Sequence, residues 1–182
     1  LKGNHDNITN EDAHGDHGFY KFAMEGEMTA SWFARRYGPT IQARYRLLEL
    51  SLPLVAKGKR FATSHAEHAR ELAYDDIIEY RRRPDVVEAL IWTGNGEAQT
   101  GSVQASFRNL ERRRGAENAA RTRQEPASQF RWFGGHRPVE NLYALRQNGV
   151  YVQFHNPDRY PVVFLMPGQA PDPEKVILEI AH

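Results

Sequence analysis

The chain reads as an α/β protein, with helices concentrated early and an antiparallel or mixed sheet late. Three observations predict this. Residues 28–50 and 103–114 carry apolar side chains at helical spacing. From residue 129 the texture changes to short apolar runs separated by turn residues. Finally, His65 and His136 each stand where an apolar run gives way to small residues, the kind of position that gathers at the carboxyl edge of a sheet.

Taken in order, residues 6–18 are rich in Asn, Asp, Gly and His and read as loop. In 28–50, Trp32, Phe33 and Tyr37 form one helical stripe and Tyr45, Leu48 and Leu52 a second; Gly38-Pro39 divides the two. Residues 59–64 read as a short strand ending at Ser64-His65. A helix is predicted over 69–81 from Leu72, Ile77, Ile78 and Tyr80, stopped by Arg81–Arg83 and Pro84. Residues 86–92 fit helix or strand, and 93–102 read as loop. The stripe Val103, Phe107, Leu110 predicts an amphipathic helix, and the polar stretch 115–128 a flexible link. Strands are then expected over 129–133, 142–145, 150–154, 162–166 and 176–180; Asn148-Gly149 is a hairpin signal between two of them.

A length of 182 residues suffices for one domain with its own core. The 40% apolar and 26% charged content excludes wholesale disorder. A net charge of +1 argues neither for nor against nucleic acid. The arginine-rich stretch 108–123 lacks interleaved aromatic rings and reads as a solvated helix face. No apolar run approaches the ~20 residues of a membrane span. With no cysteine, any metal must be held by His, Asp, Glu, Asn or water.

The opening tetrapeptide Gly3-Asn4-His5-Asp6 sets an amide oxygen, an imidazole and a carboxylate in succession. Together they offer a metal ligand, a proton donor and a group to hold the donor. Three further motifs follow: Leu52-Pro53-Leu54, then Phe61-Ala62-Thr63-Ser64-His65-Ala66, then Phe133-Gly134-Gly135-His136-Arg137-Pro138-Val139. In order and rough spacing this set resembles the calcineurin-like metallophosphoesterases, especially the branch of serine/threonine protein phosphatases and diadenosine tetraphosphatases.

The resemblance implies two β-sheets sandwiched between helices, and an N-terminally truncated chain in which residues 1–182 form the C-terminal portion of one domain lacking its first strands. It implies that Asn4, His65 and His136 bind one of two divalent metals (Mn, Fe or Zn). His5 then donates a proton to the leaving oxygen, with Asp6 orienting it, while the metal pair activates water for in-line attack on phosphorus. The implied reaction is hydrolysis of phosphomonoesters on proteins or small molecules, in the cytoplasm, without nucleic acid or membrane partners. The alternatives are a nucleotide polyphosphate hydrolase and a catalytically degenerate binding module.

The sequence departs from the family's pattern in several places. Its Asp-x-His and Gly-Asp-x-x-Asp motifs do not occur upstream of Gly3, so residues 1–182 alone are expected to be inactive. Arg137 replaces the usual threonine; it either reaches a phosphate bidentately or faces solvent. His155 reads as a polar loop residue rather than a ligand, and Glu67-His68 as an exposed turn pair. Trp92 either lies near the phosphate or is an ordinary buried ring before a turn.

Overall fold

In the computed structural model, the structure describes residues 1–6, 31–112 and 130–180. The expected loop beyond Asp6, the link 115–128 and His14 and His17 lie outside the described residues.

The architecture is mixed α/β, with two sheets interleaved with helices. A helical segment at 31–37 ends at Gly38, whose φ of 80° breaks it from α1 (Pro39–Ser51). Strands β1 (Val55–Lys57) and β2 (Phe61–Ser64) form an antiparallel pair, followed by α2 (Tyr74–Ile78), a 3₁₀ turn (Tyr80–Arg82), α3 (Pro84–Ile91) and α4 (Ser102–Arg112). After these come β3 (Arg131–Gly134), β4 (Ala144–Arg146), β5 (Tyr151–Gln153), β6 (Pro161–Val163), α5 (Pro173–Val176) and β7 (Ile177–Glu179).

The larger sheet has the order β1-β2-β3-β5-β4. Its three middle strands, β2, β3 and β5, are mutually parallel, while β1 and β4 run antiparallel at the edges. Strand β1 was not anticipated from the sequence. The sheet is also not a late feature: β1 and β2 bring the first half of the chain into it, because parallel neighbours need a long crossover and α2–α4 supply it. Strands β6 and β7 form a second, two-stranded antiparallel sheet.

Alternation along the strands distributes the core. Trp132 and Tyr151, paired neighbours on β3 and β5, face Leu90, Ile91, Val103 and Phe107 of α3 and α4. The next residues, Phe133 and Val152, face the opposite way and pack with Val176 and Ile177 beside the small sheet. The central strands are therefore covered on both faces, as parallel strands require.

The helix expected over 69–81 is shorter, reaching only from Tyr74 to Ile78 before the 3₁₀ turn. Pro84 starts the next helix rather than stopping the previous one. It sits in the first turn of α3, where its missing N–H costs nothing, and Asp85 beside it complements the helix dipole. Five of the eight residues of α3 are buried, which settles 86–92 as helix. On α4 the buried set Val103, Ser106, Phe107 and Leu110 falls at helical spacing, as read from the sequence.

Candidate functional site

The carboxyl ends of β2, β3 and β5 lie side by side, and the residues that leave them form the site. His65 follows β2 directly, Gly135-His136 follows β3, and Phe154-His155-Asn156 follows β5. The N-terminal tetrapeptide joins them from outside the sheet. Its path is fixed by the Lys2 N–H, which donates to the Pro53 carbonyl at 2.9 Å just beyond α1. The Lys2 ammonium, itself buried, donates to the carbonyls of Glu49 (3.2 Å) and Asp6 (3.0 Å). A cation at the carbonyl end of α1 is favoured by the helix dipole. The Leu52-Pro53-Leu54 motif thus anchors the tetrapeptide.

Three donor atoms converge. His65 Nε2 lies 2.8 Å from Asn4 Oδ1 and 3.2 Å from His136 Nδ1. These residues are 61 and 71 positions apart in sequence. One Nε2 proton can serve those two contacts only as a shared bond. A divalent cation would satisfy all three atoms: ligands about 2.1 Å from a cation and at right angles to one another lie about 3.0 Å apart. Glycine allows the approach, since a Cβ at Gly3 would sit 3.1 Å from His65 Nδ1. The set therefore suits a divalent metal in spacing and atom type. It carries no formal charge, however. Among the described residues no three His, Asp or Glu side chains meet as a metal site.

Burial pushes the His65 imidazole down to about 4; nearby Asp6 pulls the other way, and His5 and His155 add to the depression. His65 is therefore neutral at pH 7 with a lone pair available, the form a metal ligand needs. Its loop is held on every side. Ser64 Oγ donates to the Ala66 carbonyl (2.7 Å) and accepts from Trp132 Nε1 (2.8 Å). Ala66 N–H donates to the Leu90 carbonyl, and the His65 carbonyl accepts from Gly135 N–H, both at 2.9 Å.

His136 has a φ of 64°, a left-handed conformation uncommon outside glycine. The two glycines before it serve different ends. At Gly134 a side chain would collide with the Tyr151 hydroxyl and come within 3.0 Å of the Ser64 carbonyl. Gly135 supplies the N–H that ties His136's loop to His65.

His5 is exposed and lines the same cleft, its ring 6.2 Å from that of Trp92. Asp6 turns back, and its carboxylate accepts from Gly3 N–H at 2.7 Å. Arg137 also lines the cleft. Its carbonyl is fixed by Gln153 Nε2 at 2.7 Å, and among the described residues no carboxylate pairs with its guanidinium. Trp92 is a buried ring before a turn, and it also borders the cleft, 6.1 Å from the His136 ring. All five sequence-chosen residues besides Asp6 meet around one cleft of about 660 Å³: Asn4, His5, His65, His136 and Arg137.

One expectation needs correction. Glu67-His68 is not an exposed turn pair: both residues are buried. Glu67 accepts from Arg146 Nε (2.9 Å) and Gln147 Nε2 (2.6 Å), pinning the His65 loop to the β4–β5 hairpin, while His68 stands edge-on to Trp132 at 4.1 Å. Local composition marked these residues as polar, but the loop is overlaid by the edge strand. His155 is the exposed loop residue the sequence suggests; it also borders the cleft, and its Nδ1 lies 3.2 Å from the His136 carbonyl.

Sequence reasoning missed Asn156 and Tyr160. Asn156 is buried, and its amide reaches the carbonyls of Val139, Glu140 and Asn141 at 3.0–3.2 Å, joining the loops after β3 and β5. Asn-Pro was a visible turn signal, but nothing local showed which loop it would clasp.

Scanned against protein-family models the chain matches none, and a search of curated proteins finds no match either. Among the described residues no helix is long and apolar enough to cross a membrane.

Proposed function

We propose that this protein is a metal-dependent phosphoesterase of the calcineurin-like type, hydrolysing phosphomonoesters, with phosphorylated proteins or small phosphoesters as substrates. The observation that carries the reading is the meeting of three separate segments, with Asn4 Oδ1 at 2.8 Å and His136 Nδ1 at 3.2 Å from His65 Nε2. These three residues would hold a divalent ion. When bound, such an ion supplies Lewis acidity toward a phosphoryl oxygen and acidifies water.

The chain's other residues act around that point. His65, neutral through burial, would offer its Nε2 lone pair to the ion as the Nδ1–H tautomer. His5, exposed at the cleft, is the proton donor to the leaving oxygen, and Asp6 shapes the turn that presents it. Arg137, which lines the cleft, would take two phosphate oxygens with its planar fork. The second cation of the resemblance calls for carboxylate ligands beyond this cluster.

Calorimetric titration with Mn²⁺ tests the reading. One ion should bind per cluster; His65→Ala and His136→Ala should each weaken it at least tenfold, and His5→Ala should leave it within about twofold. Equal loss in all three would remove the assigned roles. A second reading, a binding module without turnover, draws support from the uncharged donor set. Mn²⁺ binding with no release of phosphate from any member of a phosphomonoester panel would favour it.

A further inference from the structure

We infer that the leaving group of the substrate ends in a planar aromatic ring, received by an apolar wall in which Tyr160 is the specificity-determining residue. This rests on the phosphoester reading of the donor cluster.

Two unlike groups of side chains line the cleft. One is polar: the donor residues, His5 and Arg137. The other, Phe154, Pro157, Tyr160 and Pro161, is apolar or aromatic. At about 660 Å³ the cleft is far larger than a phosphoryl group and falls in the range that takes a whole organic ligand. A phosphoryl group at the donors leaves the apolar wall to face the rest of the substrate. Flat rings gain most from such a wall, because they bury large area and stack on other rings.

Tyr160 itself is an anomaly. Its φ is 46° and it directly precedes Pro161, where an extended backbone is the norm. A bulky residue held there is strained, and such strain persists only where the surroundings over-determine it. They do so here: the Tyr160 N–H donates to the Asn156 carbonyl at 3.1 Å, and Asn156 is clamped by its three carbonyl contacts. Asn or Gly would occupy this conformation at less cost. A half-exposed tyrosine stands there instead, lining the cleft.

The test is equilibrium binding, in Mn²⁺, of three non-hydrolysed probes: methylphosphonate, phenylphosphonate and the phosphonate (P–CH₂) analogue of adenosine 5′-monophosphate. At least one aromatic probe should bind about tenfold more tightly than methylphosphonate. Phenylphosphonate as the tighter of the two places the ring next to the phosphoryl group, and the nucleotide as the tighter places it a sugar's length away. Tyr160→Asn, which suits the left-handed backbone, should erase the preference and leave methylphosphonate affinity unchanged, while Tyr160→Phe should retain it. The inference is overturned if methylphosphonate binds as tightly as both aromatic probes, or if Tyr160→Asn weakens all three alike. Should no probe bind, methylphosphonate included, the phosphoester reading falls and this inference falls with it.

Discussion

His68 shows what a single side chain contributes through its surroundings alone. It is fully buried against Trp132, and among the described residues neither ring nitrogen has a partner. Burial pushes its imidazole down to about 3, so between pH 6.5 and about 3 the unfolded chain takes up a proton that the folded chain refuses. Stability is then complete above pH 6.5 and is lost as pH falls through that window. His65 adds a similar loss between 6.5 and about 4. His68→Phe should flatten the acid limb in urea melts recorded from pH 7 to 4, with little loss at pH 7, because it replaces two unpartnered nitrogens with apolar atoms of similar shape. An unchanged acid limb would show that His68 does not drive it. At Asn4 the logic is charge. Asn4→Asp gives the neutral donor set an anionic oxygen and should tighten Mn²⁺ by about tenfold or more in the same titration used for His65→Ala.

Among the elements, β3 shows most clearly how packing writes the sequence. Its last residue, Gly134, lies under the Tyr151 ring of the parallel neighbour β5. Gly134→Ala should cost about 1–3 kcal/mol as an overpacking change. Removing the hydroxyl in Tyr151→Phe should recover part of it, and a double-mutant cycle on denaturant midpoints measures the coupling. Additive losses would mean that the hydroxyl is not the obstacle. Elements with a strong local signature were readable beforehand: α1 and its Gly38-Pro39 boundary, α4 from its apolar stripe, and the β4–β5 hairpin, where Gln147, Asn148 and Gly149 all adopt positive φ. Elements without one were not. Strand β1 is three residues long with a mixed composition, and it exists because β2 offers it an edge to pair with. The short α2 and the start of α3 at Pro84 depend on where the chain must turn to cover Trp132 and Tyr151.

At the scale of the molecule, the donor cluster cross-links three distant segments: the N-terminal tetrapeptide, the end of β2 and the end of β3. A ligand that binds only this arrangement stabilises the whole fold by mass action, about 2.7 kcal/mol at one hundred times its dissociation constant. Mn²⁺ should therefore raise the melting temperature by several degrees, chelation should reverse the gain, and His65→Ala should abolish it. Scanning calorimetry with and without chelator checks this, and a melting temperature indifferent to metal would weigh against a site joining all three segments.

The sequence by itself determined which groups were available: a cysteine-free chain, an Asn-His-Asp step after glycine, and two histidines each placed after an apolar run and small or turn-forming residues. Those are local facts, set by residue type and by what a strand end or a turn tolerates. Only the tertiary structure decided that Asn4, His65 and His136 meet, that Glu67 and His68 lie buried, and that Tyr160 lines the same cleft as the donors. The reason is that β2, β3 and β5 are parallel neighbours, so their carboxyl ends fall at one edge; that order is fixed by the packing of two faces of one sheet, and no stretch of sequence carries it alone.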